Sequence, residues 1–132
     1  MKTSIISALA LTAIMTGGAA SAQSLNVVCS NEQAWCDLMA QSFKIATGID
    51  VAMVRKSTGE VLAQVRAEAG NPKIDVWWGG TGDPHLIAAN ENLTVATGVD
   101  VSGQLGWSQN MTEMSGGKAV GVHVGLLGIL YN

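Results

Sequence analysis

Residues 75–85 read DVWWGGTGDPH. Two adjacent tryptophans run into Gly79-Gly80-Thr81-Gly82, and Asp83-Pro84-His85 follows. The run Lys73-Ile74-Asp75-Val76-Trp77-Trp78 reads as a strand. Asp83 reads as a helix cap, with Pro84 at the first helical position, where a missing N–H costs nothing. Between them, glycines permit a sharp reversal and leave main-chain N–H groups bare. This is therefore a strand-to-helix turn, the unit of an α/β sheet. Successive strand side chains point to opposite faces, so one tryptophan is expected under a helix. The other is expected at the crevice beyond the strand ends, where open α/β sheets bind ligands.

The same unit occurs twice upstream. Leu25–Cys29 is a short apolar strand. After it, Trp35, Leu38, Met39, Ser42, Phe43 and Ala46 recur at helical steps, with Ser30 or Asn31 as cap and Gly48 as terminator. Ile49–Lys56 alternates and is rich in β-branched residues, a second strand. Ser57 and Glu60 then have the spacing of a capping box, Val61, Leu62, Val65 and Ala69 give an apolar face, and Gly70 stops the helix. The order β-α-β-α-β-α predicts a parallel sheet with right-handed crossovers, covered by helices on both faces. Residues 94–116 read as loop. The run Gly117–Asn132 reads as a glycine-interrupted strand.

Three strand-to-helix loops thus gather at one edge: Ser30-Asn31-Glu32, Lys56-Ser57-Thr58-Gly59 and Gly79-Gly80-Thr81. Helix N-termini carry partial positive charge, and together with hydroxyls, glycines and Lys56 they make a cradle for an anion. Ser57 and Asp83 are equally explained as simple caps, and His85 as a packing residue.

The N-terminus reads differently. Lys2, the apolar run Ile5–Met15 and Ala20-Ser21-Ala22 form a three-part secretory signal, with cleavage expected after Ala22 and a mature segment 23–132. The apolar run is too short to span a bilayer. Export out of the cytoplasm follows. In an oxidising compartment the two cysteines, Cys29 and Cys36, are expected to pair, closing a short loop for about 2 kcal/mol. Net charge is −3, against a nucleic-acid partner. G-x-S-x-G, H-E-x-x-H, C-x-x-C and the P-loop pattern are all missing, and GTGDPH departs from G-x-G-x-x-G. No catalysis is expected.

These residues resemble a family. LNVVCSNEQAWC (25–36), the pattern F-x-x-x-T-G-I-x-V at 43–51, STGE (57–60) and DVWWGG (75–80) are similar to the N-terminal lobe of periplasmic solute-binding proteins of ABC importers. The nearest branch is the ferric-iron-binding-like, family 1 extracellular group. The resemblance implies one lobe of a two-lobed, Venus-flytrap fold of periplasmic-binding-protein type II. Ligand would lie on Ser30, Asn31, Glu32, Ser57, Thr58, Gly59, Gly79, Gly80 and Thr81, and cargo would pass to an inner-membrane permease. Iron binders of the family use a His and a Glu from this lobe, whereas the first loop here offers Asn31-Glu32 and the third offers glycines. Hydroxyls and N–H groups suit a phosphorylated or phosphonate solute, without a resident cofactor. Three other readings remain: a ferric-iron carrier using Glu32 and a synergistic anion, a secreted hydrolase relying on Asp83, and a non-functional truncated remnant. The resemblance also implies that a second lobe is missing after Asn132, leaving an apolar patch exposed around 120–130.

Overall fold

In the computed structural model, which describes residues 24–125, the central strand is the first one. β1 (Ser24–Cys29) pairs in parallel with β2 (Asp50–Arg55) on one side and with β3 (Val76–Trp78) on the other, giving the order β2-β1-β3. α1 (Gln33–Thr47), α2 (Thr58–Ala67) and α3 (Gly82–Asn90) fill the crossovers, and α4 (Gly106–Met114) follows. The fold class is the expected α/β one, a parallel sheet flanked by helices.

Local chemistry accounts for the element ends. Gly48 closes α1 in the left-handed conformation at φ 74°, and its N–H reaches the Lys44 carbonyl. α2 begins with a reciprocal capping box between Ser57 and Glu60. Its far end is tied to α3 by a bidentate pair, Arg66 Nε and Nη2 to Glu91 at 2.7 and 2.6 Å. An exposed ion pair, Lys44–Asp50, spans the turn into β2.

The core lies where β1 meets the helices. Val27, Val28, Cys29, Cys36, Val61, Leu62, Ala88 and Ala89 are buried. Cys29 is bonded to Cys36 of α1, with Cα atoms 5.9 Å apart. Strand side chains alternate, so Val27 shares that face and Val28 takes the opposite one. The expected disulfide is therefore also a core element, joining the end of the central strand to the first turn of α1.

Several expectations are corrected. Ser30 and Asn31 do not cap α1: Glu32 holds that position, without a side-chain cap bond. Asp83 does not cap α3 either. Thr81 holds that position, without a side-chain cap bond, so Pro84 is the third helical residue, where its missing N–H is still harmless. β3 is only three residues long, because Lys73-Ile74-Asp75 lies outside the strand. There Asp75 bonds to Asn26 in both directions: its Oδ2 accepts from the Asn26 N–H, and its own N–H donates to the Asn26 carbonyl. The expected α1 face is largely uncovered, with Trp35 54% and Leu38 63% exposed. Among the described residues β2 is the main element packed on that helix, and it is too narrow to cover the stripe.

The loop assigned to 94–116 contains α4. Its inner face carries buried Ser108 beside half-buried Met111 and Thr112, and its C-cap, Ser115, is buried as well. Ser108 Oγ donates to the Gly121 carbonyl at 2.6 Å, and the Ser115 hydroxyl accepts from the Ala119 N–H at 2.9 Å. A helix that buries hydroxyls shows no apolar period. The strand expected from Gly117 is not formed over 117–125, and the rest of that run lies outside the described residues, as does the 1–22 leader. The segment 117–125 is instead held to α4 through the Ala119 and Gly121 backbone. Val122 and Val124 are exposed, which matches the described part of the expected apolar patch.

Among the described residues β3 is an edge strand. A cavity of about 910 Å3 opens along it, bounded by Val76, Trp77, Val95, Trp107, Val120 and Val122.

Ser108→Ala is expected to lower stability by about 1–2 kcal/mol, because the Gly121 carbonyl loses its buried donor. Urea unfolding of the variant beside the wild type measures this, and an unchanged midpoint would contradict the role given to α4.

Candidate functional site

Register places the ends of the three strands together. Cys29 pairs opposite Arg55 on one side and Trp78 on the other. The ladder runs one residue further each way: Lys56 N–H donates to the Cys29 carbonyl at 3.0 Å, and Ser30 N–H donates to the Trp78 carbonyl at 2.9 Å. The loops after β1, β2 and β3 therefore leave the sheet at one level and on one rim.

They also touch. Gly79 and Gly80 adopt positive φ, 79° and 89°. A Cβ on Gly79 would strike the Asn31 side chain, and one on Gly80 would strike Thr58 and lie 2.9 Å from Ser30 Cβ. Glycine is required here twice over, for the backbone angle and for the contact. Ser30, Asn31, Thr58, Gly79 and Gly80 are thus brought together. Ser57, Gly59 and Thr81 adjoin them in the chain.

The side chains have distinct tasks. The Ser57 hydroxyl donates to Glu60 Oε2 at 2.6 Å, and the same carboxylate takes the Ser57 N–H at 2.8 Å. Those bonds hold the Glu60 carboxyl below the usual carboxylate range. Ser57 is a cap, and its proton is committed. Lys56 does not supply the cation expected at the cradle, because its ammonium binds Gln64 Oε1 of α2 at 2.7 Å. Glu32 is exposed at the start of α1. Arg55 Nε donates to the Asn31 carbonyl at 2.6 Å, fixing the first loop across β2. The Asn31 amide nitrogen is buried and has no hydrogen-bond partner among the described residues. Among the described residues the N–H groups of Asn31, Gly80 and Thr81 likewise meet no main-chain or side-chain acceptor.

Trp77 ties β3 to the first loop and to α3. Its indole Nε1 donates to Ser30 Oγ at 3.0 Å, and its ring lies 4.0 Å from that of His85, tilted by 31°. Both tryptophans are half-buried, so neither is purely a core residue. His85, read from sequence as a packing residue, also bonds through Nε2 to the Gly79 carbonyl at 2.9 Å. Burial pushes the imidazole below its ordinary value, and the Gly79 carbonyl partly opposes this. The useful signal was its position: three residues into α3, it lies beside the loop that leads into that helix.

The rim offers N–H groups, hydroxyls and three helix N-termini, a donor set that receives anionic oxygen. Among the described residues no group of three or more His, Cys, Asp or Glu side chains comes together. The 910 Å3 cavity is a different place. It shares Gly79 and Gly80 of the third loop, and Trp77, Trp78 and His85 beside it, but follows the outer edge of β3 and its lining is mostly apolar.

No protein-family model matches the chain. A Haemophilus influenzae protein described only as uncharacterized is 34% identical over 99 residues, which cover 70% of this chain and 29% of that one. Three solved structures are similar. The periplasmic binding protein AfuA from Actinobacillus pleuropneumoniae, with exogenous fructose-6-phosphate bound, has a TM-score of 0.55 and 33% identity, over 58% of this chain and 24% of that one. The periplasmic binding protein P5PA has a TM-score of 0.65 and 25% identity, over 71% and 30%. Iron-bound HitA from Pseudomonas aeruginosa has a TM-score of 0.54 and 22% identity, over 56% and 24%, a likeness of fold alone. The chain thus spans between 24% and 30% of the length of the proteins it matches.

Two outcomes follow from this geometry. Gly80→Ala is expected to cost about 2 kcal/mol in urea unfolding, since both the φ and the Thr58 contact oppose a methyl group. For His85 the folded pKa is depressed, so the unfolded chain binds the proton more readily. The stability this gives is complete above the ordinary value of about 6.5 and is lost as pH falls toward the lower folded value. Thermal melts from about pH 7.5 to about pH 5 should fall for the wild type and fall less for His85→Gln; superimposable pH profiles would contradict the assignment.

Proposed function

We propose that this chain is the solute-binding part of an ABC importer, taking a small phosphorylated solute on the rim formed by residues 30–32, 57–59 and 79–81. The observation that carries this reading is the meeting of Ser30, Asn31 and Thr58 on Gly79-Gly80, with N–H groups there lacking acceptors. A phosphate presents several anionic oxygens at once, and each can take an N–H or a hydroxyl. Thr58, Gly59, Gly80 and Thr81 are its donors, with the Asn31 amide beside them. Ser57 shapes α2 instead of binding. AfuA, 33% identical over the matched residues and solved with fructose-6-phosphate, supports the same class of cargo.

The protein is a carrier with no catalytic step, exported by its 1–22 leader into the periplasm, and 23–132 forms one lobe. An inner-membrane permease receives the solute. Ferric iron fits less well. A hard trivalent cation calls for several anionic oxygens, while the Glu60 carboxylate near this rim is spent on Ser57 and Glu32 stands alone in the first loop.

Gly59→Asp separates these cargoes. A Cβ at Gly59 meets nothing within 4 Å, so the side chain fits. A carboxylate in the first turn of α2 should stabilise the helix by about 0.5 kcal/mol. The same carboxylate should weaken fructose 6-phosphate binding at least about tenfold by calorimetry, through like-charge repulsion. Wild-type binding of ferric ion but not of the sugar phosphate would overturn the proposal.

A further inference from the structure

The Gly79–Gly80 peptide joins the two rim residues at positive φ, and neither has a Cβ to restrict rotation of the plane between them. Yet this plane decides what a ligand meets. In a trans peptide the C=O and the N–H point in opposite directions. If the Gly79 carbonyl faced the cradle, it would present an acceptor to an anion and repel it. If the plane lies the other way, the Gly80 N–H faces the cradle as a donor.

One side chain selects between these. His85 Nε2 lies 2.9 Å from the Gly79 carbonyl. A carbonyl can only accept, so Nε2 carries the proton. The imidazole is itself held by the Trp77 ring at 4.0 Å, and Trp77 is fixed by the bond from its indole N–H to Ser30 Oγ at 3.0 Å. Ser30 in turn packs against Gly80. The contacts close a circuit through the first loop, β3, the third loop and α3. The Gly80 N–H, opposite the bonded carbonyl, has no acceptor among the described residues.

We infer that His85 is a positioning residue for anion binding: it holds the Gly79 carbonyl away from the cradle and so turns the Gly80 N–H toward the ligand. His85 itself does not touch the solute. The role rests on the proposed solute site.

The test has two arms on the full chain. Crystal structures of ligand-free His85→Phe and His85→Gln report the orientation of the Gly79–Gly80 plane. Phenylalanine keeps a ring against Trp77 but has no donor, whereas glutamine supplies an N–H at comparable reach. The plane is expected to turn in His85→Phe and to stay in His85→Gln. Calorimetry with fructose 6-phosphate should then show a loss of about tenfold in His85→Phe, and recovery to within about threefold of wild type in His85→Gln. Melting curves confirm that both variants are folded. A plane unchanged in His85→Phe overturns the inference, whatever the affinity. Equal losses in the two variants with the plane retained in glutamine also overturn it, since the donor would then be irrelevant to binding. If wild type binds no sugar phosphate while the plane turns as expected, the positioning stands and the proposed cargo falls.

Discussion

Cys29 is the residue on which the arrangement turns. It ends the central strand, hydrogen-bonded ladders extend past it on both sides, and its sulfur is bonded to the first turn of α1. A strand flanked by two parallel neighbours in register forces three chain reversals onto a single level. Shifting either neighbour by one residue would exchange the faces of its side chains and separate its loop from the other two. The disulfide ties the first loop to α1, whose N-cap Glu32 makes no side-chain cap bond.

Around that fixed point the rim divides its labour. Atoms with strong local partners are shaping groups: the Ser57 hydroxyl, the Lys56 ammonium, Arg55 and the Trp77 indole N–H. Atoms without partners lie between them: the Asn31 amide and the bare main-chain N–H groups. A charged or hydroxyl side chain in a strand-to-helix loop reads from sequence as a binder, but here several such groups are already satisfied by the helix or strand beside them. The unsatisfied donors belong largely to the backbone, which any sequence carries. This is why glycine mattered more than lysine in identifying the place.

Much of the fold was legible because its signals are local. The S-x-x-E box, Gly48 and the alternation in residues 49–55 each report a short-range preference, and each corresponds to an observed feature. The failures share a cause too. α4 was hidden because its buried groups are Ser108 and the C-cap Ser115, whose burial depends on the Gly121 and Ala119 backbone lying across them. Trp35 and Leu38 obey the helical period without being covered, because period reports which residues share a face and not what lies over it. Residues 117–125 have strand composition but no partner strand among the described residues. At the site, the loops could be read from chain order, whereas the bond from His85 to Gly79 required the first turn of α3 in place.

The outer margin of β3 has a consequence of its own. Among the described residues it has a neighbour on one side only, and it lies along a trough walled by valines and tryptophans. An open edge of this kind, though only three residues long, can be extended by a stretched polypeptide that meets it, including another molecule of the same kind. Such encounters are second order: doubling the number of molecules in a given volume quadruples them, while the internal bonds of each are unaffected. Persistence of the dispersed protein is therefore governed by crowding as well as by folding energy, and dilution protects it where a tighter core would not.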